Sequence, residues 1–135
     1  MSSEHTRALM NRYWNESQPL AEVMAPDVVF TIMSTGNEYH GIEAVERMLN
    51  YFYREAFRAS SQTRNTVIEG NFAVLEADFT GEHVGEFAGV PGTGRTVQVP
   101  ICVVYELRDG KIWRGRVYLH MARLLEQIGA EDGEQ

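Results

Sequence analysis

The 135-residue sequence reads as one α+β domain: a curved antiparallel sheet packed on N-terminal helices and enclosing a small-molecule pocket. Three observations carry this reading. Ile42, Val45, Leu49, Phe52 and Ala56 recur on one stripe at helical spacing, with Glu43, Glu46, Arg47 and Arg54 mostly elsewhere. From Thr63 onward the pattern changes to long, consecutive strands separated by short turns. Glycines within those strands (Gly81, Gly85 and Gly115) mark bulges and bends, which coil a sheet and leave a cavity beneath it.

The elements follow in order. Ser2 or Ser3 caps a first helix whose apolar residues are Leu9, Met10, Tyr13 and Trp14. A shorter helix is predicted from Gln18 to Met24, with Pro19 in its first turn and Pro26 as its stop. Val28 to Met33, rich in β-branched residues, is a strand running into a Ser34-Thr-Gly-Asn37 turn. The long helix spans Ile42 to about Phe57. Strands then cover Arg64 to Ile68, Phe72 to about Gly85, Arg95 to Leu107, and Lys111 to about Leu119. Hairpin turns at Glu69-Gly70-Asn71 and Arg108 to Lys111 make the sheet antiparallel, the second using the Asp109-Gly110 pair that tolerates positive φ. Met121 to Ile128 supplies a last helical turn or two, Gly129 ends it, and Glu131 to Gln135 is expected to fray as an acidic tail. No repeat, linker or second domain is visible.

Composition excludes several classes of function. A net charge of −7, with Lys and Arg scattered, repels phosphate backbones and argues against nucleic acid. No apolar window approaches a transmembrane length, and the N-terminus lacks a signal-like pattern, so the protein is expected in the cytoplasm and away from membranes. The single cysteine, Cys102, lies in the apolar run Val99 to Tyr105 and reads as a small buried hydrophobe. Four dispersed histidines without a cysteine cluster give no metal-ligand spacing. The glycine-rich Gly89 to Gly94 does not run from a strand into a helix, so it is a turn and implies no nucleotide cofactor.

The stretch Phe79-Thr-Gly-Glu-His-Val-Gly-Glu-Phe-Ala-Gly-Val-Pro-Gly-Thr-Gly-Arg-Thr-Val-Gln-Val-Pro100, with Tyr105-Glu-Leu-Arg-Asp-Gly-Lys-Ile112 and Leu124-Leu-Glu-Gln-Ile-Gly129, resembles the SnoaL-like polyketide cyclase (ester cyclase) family. That resemblance implies the cone-shaped fold of the nuclear-transport-factor-2-like superfamily, which hosts isomerases, dehydratases, epoxide hydrolases, cyclases and non-catalytic binders. It also implies a ring closure by an intramolecular aldol step, with a carboxylate near the end of the last long strand removing a proton next to a carbonyl. Family members often carry Arg-Asp-Tyr-Phe-Asp there; this chain reads Arg116-Val117-Tyr118-Leu119-His120. Val117 cannot move a proton.

His120 is the titratable group left at an acid's place, and a neutral imidazole suits proton abstraction near pH 7. Its alternative is a helix-start histidine meeting only backbone and water. His83, flanked on its own face by Gly81 and Gly85, has space around its ring for a substrate, or is a packed core residue. Tyr13 resembles, by its place in the first helix, the tyrosine with which ketosteroid isomerases hold an enolate oxygen, although their aspartate bases are not recovered in Phe30-Thr-Ile-Met33 or Cys102-Val-Val-Tyr105. Trp14, Phe30, Phe52, Tyr105, Arg116 and Tyr118 complete the candidate substrate-binding set. His40 is expected to serve the turn before the long helix, and His5 to be exposed.

Three functions compete on this reading: a cofactor-independent cyclase acting on an apolar polyketide-like molecule, a dehydratase or isomerase using the same histidines, and a binder without turnover. A pocket with convergent titratable groups favours the first two, and an apolar lining favours the third. The strand Val97 to Val104 is apolar on both faces, Val97, Val99, Ile101 and Val103 on one and Cys102 and Val104 on the other, which predicts a homodimer through the outer sheet face.

Overall fold

The computed structural model describes residues 2–129; the acidic tail expected at Glu131 to Gln135 lies outside them. Helix α1 (Ser3–Asn15) starts on the Ser2 side chain, which accepts from the His5 N–H at 3.1 Å. Two further hydroxyls fasten the same end to the hairpin turn at Gly70: Ser3 Oγ accepts from the Gly70 N–H, and Thr6 Oγ1 donates to the Gly70 carbonyl. One 3₁₀ turn (Leu20–Glu22) leads into strand β1 (Met24–Ile32) and its short antiparallel neighbour β2 (Asn37–His40). Helix α2 (Ile42–Asn50) buries Val45 and Met48 and continues as a π turn, Tyr51–Glu55. Strands β3 (Phe57–Glu69), β4 (Phe72–His83), β5 (Thr96–Arg108) and β6 (Lys111–Leu119) form a meander, and α3 (Met121–Gln127) follows.

The strands make one six-stranded sheet in the order β2-β1-β6-β5-β4-β3. Every neighbouring pair is antiparallel except β1 and β6, which run parallel. No hairpin joins those two strands; β1 is the far end of the chain brought back across the sheet, so nothing local dictates its direction. Side chains alternate cleanly across the pleat. Val97, Val99, Ile101, Val103 and Tyr105 face the helices, whereas Gln98, Pro100, Cys102, Val104 and Glu106 face outward. The core fills the concave side, with Phe30, Phe57, Phe79, Met10, Met24 and Leu107 almost wholly buried.

Four elements differ from the sequence expectation, each for a tertiary reason. Instead of a helix to Met24, the chain turns once and then extends, because the Ile112 N–H donates to the Val23 carbonyl and draws residues 23–24 onto β6. Strand β2, too short and polar to be seen in the pattern, exists because β1 offers it a partner. The long helix loses α-geometry at Tyr51, where the Ala56 N–H reaches back five residues to the Tyr51 carbonyl. Strand β3 begins at Phe57, seven residues before the expected Arg64; Ala59-Ser-Ser-Gln-Thr63 lacks an apolar alternation because it forms an edge strand with little to bury.

Candidate functional site

The concave side of the sheet and the helices enclose an inner chamber of about 50 Å³. Tyr13 comes to it from α1, Phe30 and Ile32 from β1, Phe52 from the π turn, Tyr105 from β5, and Val117 and Leu119 from β6. Gly115 shapes this wall. A Cβ there would stand 2.7 Å from the Phe30 ring, so the missing side chain is what lets that ring lie flat on β6 and meet Tyr105 edge-on, 6.1 Å between centroids.

Polarity concentrates at one end. Tyr13 and Trp14 both meet the Tyr105 ring edge-on at 5.9 Å, and the buried Trp14 Nε1–H has no partner with hydrogen-bond geometry. Burial drives the Tyr13 phenol far above the ordinary tyrosine range, with the nearby Tyr53 hydroxyl adding to the shift and the Tyr105 hydroxyl opposing it. Tyr105 is raised too, again chiefly by burial. Tyr53, whose hydroxyl lies 2.6 Å from Ser61 Oγ and whose ring packs on Phe79 at 5.2 Å, is the third member of this cluster and is likewise raised by burial. The phenols are therefore donors that stay protonated: they can bind an acceptor oxygen but cannot take up a proton.

A wider cleft of about 330 Å³ lies outside the chamber. Thr35 and Asn37 border it beside β1 and β2, Tyr51 and Phe52 come from the π turn, Phe87 from the segment after β4, and Met121 and Leu125 from α3. Ile32 and Phe52 line both spaces.

The candidate residues separate by strand parity. Tyr13, Phe30, Phe52 and Tyr105 line the chamber, with Trp14 directly behind Tyr105. Val117 points inward, so Arg116, Tyr118 and His120 lie on the convex side. There Arg116 donates to Glu106 at 2.7 Å, and Tyr118 and His120 border an outer groove of about 510 Å³. His120 is the N-cap of α3, its Nδ1 accepting from the Arg123 N–H at 3.3 Å. His83 is fully buried on the inner face but is not part of the chamber lining. Its Nδ1 accepts from the Thr93 N–H at 3.2 Å and lies 2.9 Å from the Thr93 hydroxyl. That arrangement assigns the ring proton to Nε2, which is buried without a partner, so neither nitrogen presents a free lone pair. His40 and His5 are exposed, His40 beside Glu38 at 2.9 Å. Sequence reasoning missed Tyr53. It stands four residues after Leu49, on the side of the helix that carries the apolar stripe, and that spacing is the signal that could have found it.

The family model for SnoaL-like polyketide cyclases matches residues 4–128. The chain belongs to that family. No curated protein matches it. Among solved structures it is similar to a SnoaL-like protein from Jannaschia sp. CCS1, with 25% identity, a TM-score of 0.84, and coverage of 95% of this chain and 94% of the other. It is also similar to TsrD from Streptomyces laurentii, at 22% identity and TM-score 0.78 over 97% of this chain and 99% of that one. A protein of ketosteroid isomerase-like fold from Catenulispora acidiphila, solved with trimethylamine, matches at 18% identity and TM-score 0.70 over 97% and 96% of the two chains. Three helices on a curved, mixed six-stranded sheet are thus the nuclear-transport-factor-2 and ketosteroid isomerase-like fold; identities this low speak to the fold and not to the reaction. No described helix is long and apolar enough to cross a membrane.

Proposed function

We propose that this SnoaL-like domain binds a compact apolar molecule through an acceptor oxygen and does not itself abstract a proton from it. One observation carries the reading: the chamber lining is apolar apart from two phenols held protonated, with Val117 in the wall where the family's aspartate stands. A carbonyl or ether oxygen set against Tyr13 and Tyr105 gains hydrogen bonds in a dry setting, while a carboxylate there meets no cation to offset its desolvation.

The test uses 2-tetralone in D₂O, with loss of its α-proton signals followed by NMR. Wild-type protein should bind the ketone and leave exchange at the buffer rate; Val117→Asp, which places a carboxylate in the wall, should accelerate it. If the wild-type protein accelerates exchange and His83→Gln removes the effect, the enzymatic reading replaces this one.

The same reading includes a homodimer and a cytoplasmic location, the latter supported by the unpaired thiol of Cys102. Of the five large apolar side chains exposed among the described residues, Met33 (39%), Val67 (60%), Phe72 (42%) and Tyr118 (46%) lie on the convex sheet face, with only Val84 elsewhere. Val67, Val74 and Val104 form one cross-strand row through the middle of that face. This apolar row, with Met33, Phe72 and Tyr118 on the same face, supports pairing with a second copy. Sedimentation should give a dimer at micromolar concentration and a monomer for Val104→Arg; a wild-type monomer would remove this part of the proposal.

A further inference from the structure

Two side chains, Ile32 and Phe52, stand between the inner chamber and the outer cleft, and the ring among them is that of Phe52. Phe52 lines both, is nearly buried, and contacts Phe87 at 5.7 Å and Tyr51 at 5.7 Å between centroids. With that ring in place the chamber holds about 50 Å³, room for a water molecule or two. A dry apolar cavity of roughly 150 Å³ is the size that takes up benzene. No ring-sized molecule therefore reaches Tyr13 and Tyr105 while Phe52 stays where it is. From this we infer that Phe52 is the specificity-determining residue of the pocket: its displacement joins the two spaces, and how readily it moves sets the size and the rate of what is admitted.

The surroundings of Phe52 are built as a latch. It sits in the π turn, the one place where the α2 helix departs from its regular hydrogen-bond ladder. The neighbouring Tyr51 donates its hydroxyl proton to the Glu86 carbonyl at 2.9 Å, and its ring stacks on Phe87. Residues Val84 and Gly85 both donate their N–H to the Ala56 carbonyl at the end of the turn. A Cβ at Gly85 would run into the Glu55 carbonyl oxygen, so the segment seats this closely only with glycine there. Beyond Phe87 the backbone takes positive φ at Ala88 and at Gly89, the former an uncommon conformation for a residue with a side chain. The π turn and the 84–90 segment thus hold the partition from both sides, and Tyr51 to Glu86 is the polar tether between them.

This inference rests on the chamber being a binding site, and the experiment separates the two. Fluorobenzene and 1-fluoronaphthalene are titrated by ¹⁹F NMR, which reads affinity and exchange rate together, against wild-type protein, Phe52→Ala, Phe52→Leu and Tyr51→Phe. Phe52→Ala should bind both probes at least tenfold more tightly, with the larger gain for the naphthalene. Phe52→Leu, which keeps the core filled and guards against a misfolded alanine variant, should shift the same way by less. Tyr51→Phe should speed exchange severalfold by cutting the tether. If wild-type protein binds but all three variants keep its size preference and exchange rate, the role of Phe52 is overturned and the binding site stands. If neither probe binds wild type or either Phe52 variant, the binding-site reading fails and this inference falls with it.

Discussion

Replacing Gly115 by alanine probes the inner wall at its tightest point. An added Cβ would stand 2.7 Å from two carbons of the Phe30 ring and 2.9 Å from a third. Ordinary contact needs about 3.5–4.0 Å, so the ring must retreat by roughly an ångström. Phe30 is 1% exposed and packs edge-on against Tyr105, with the small chamber beside it as space to yield into. Overpacking of this kind costs about 1–3 kcal/mol, while the stiffer unfolded chain returns about 0.4–1 kcal/mol. A net loss of about 1 kcal/mol is expected, or a fall in Tm of about 4 °C for a domain of this size. Urea denaturation followed by fluorescence measures the first and calorimetry the second. The cause is checked by a double-mutant cycle: with Phe30→Leu already present the alanine should cost much less, a coupling of about 1 kcal/mol. A Gly115→Ala variant as stable as wild type, or one whose cost is the same in the leucine background, would refute the reasoning.

Two further outcomes follow from the site. The phenols of Tyr13 and Tyr105 are raised in the folded state, so unfolding exposes groups that ionise near pH 10; stability is intact below about pH 10 and falls as pH rises beyond it. The urea midpoint should drop between about pH 9 and 11, less steeply in Tyr13→Phe/Tyr105→Phe, and an equal slope in the two proteins would contradict the burial argument. At His120 the structure assigns a capping role, and aspartate caps a helix better than histidine does; His120→Asp should raise stability by up to about 1 kcal/mol and leave ligand affinity unchanged. A loss of ligand binding without a loss of stability would count against that assignment.

Much of the architecture is written in local pattern. The period-3.6 stripe of α2 and the period-2 runs of β4, β5 and β6 announce themselves because each buries one face along its whole length, and the Asp109-Gly110 turn has positive φ at both positions, as its composition implies. The family was legible from β4 to α3. What failed locally was whatever depends on a distant partner: β2, the early start of β3, and the extended chain where a second helix was expected.

The site divides along the same line. Sequence alone determined that position 117 is a valine where the resemblance expects an acid and that aromatic residues are available to line a pocket, since both are matters of residue identity. It could not say which way Val117 faces, because an alternating strand offers two parities and Arg116, Tyr118 and His120 satisfy one as well as Val117 and Leu119 satisfy the other. Pairing with β5 resolves it. Val103 is buried against the helices and lies opposite Val117, so Val117 shares its face, and the polar residues of the motif are turned to the convex side. Likewise the gap at Gly115 has meaning only once β1 lies beside β6 and brings Phe30 over it. Hydrophobic burial selects the face, and the partner strand, remote in sequence, decides which residues occupy it.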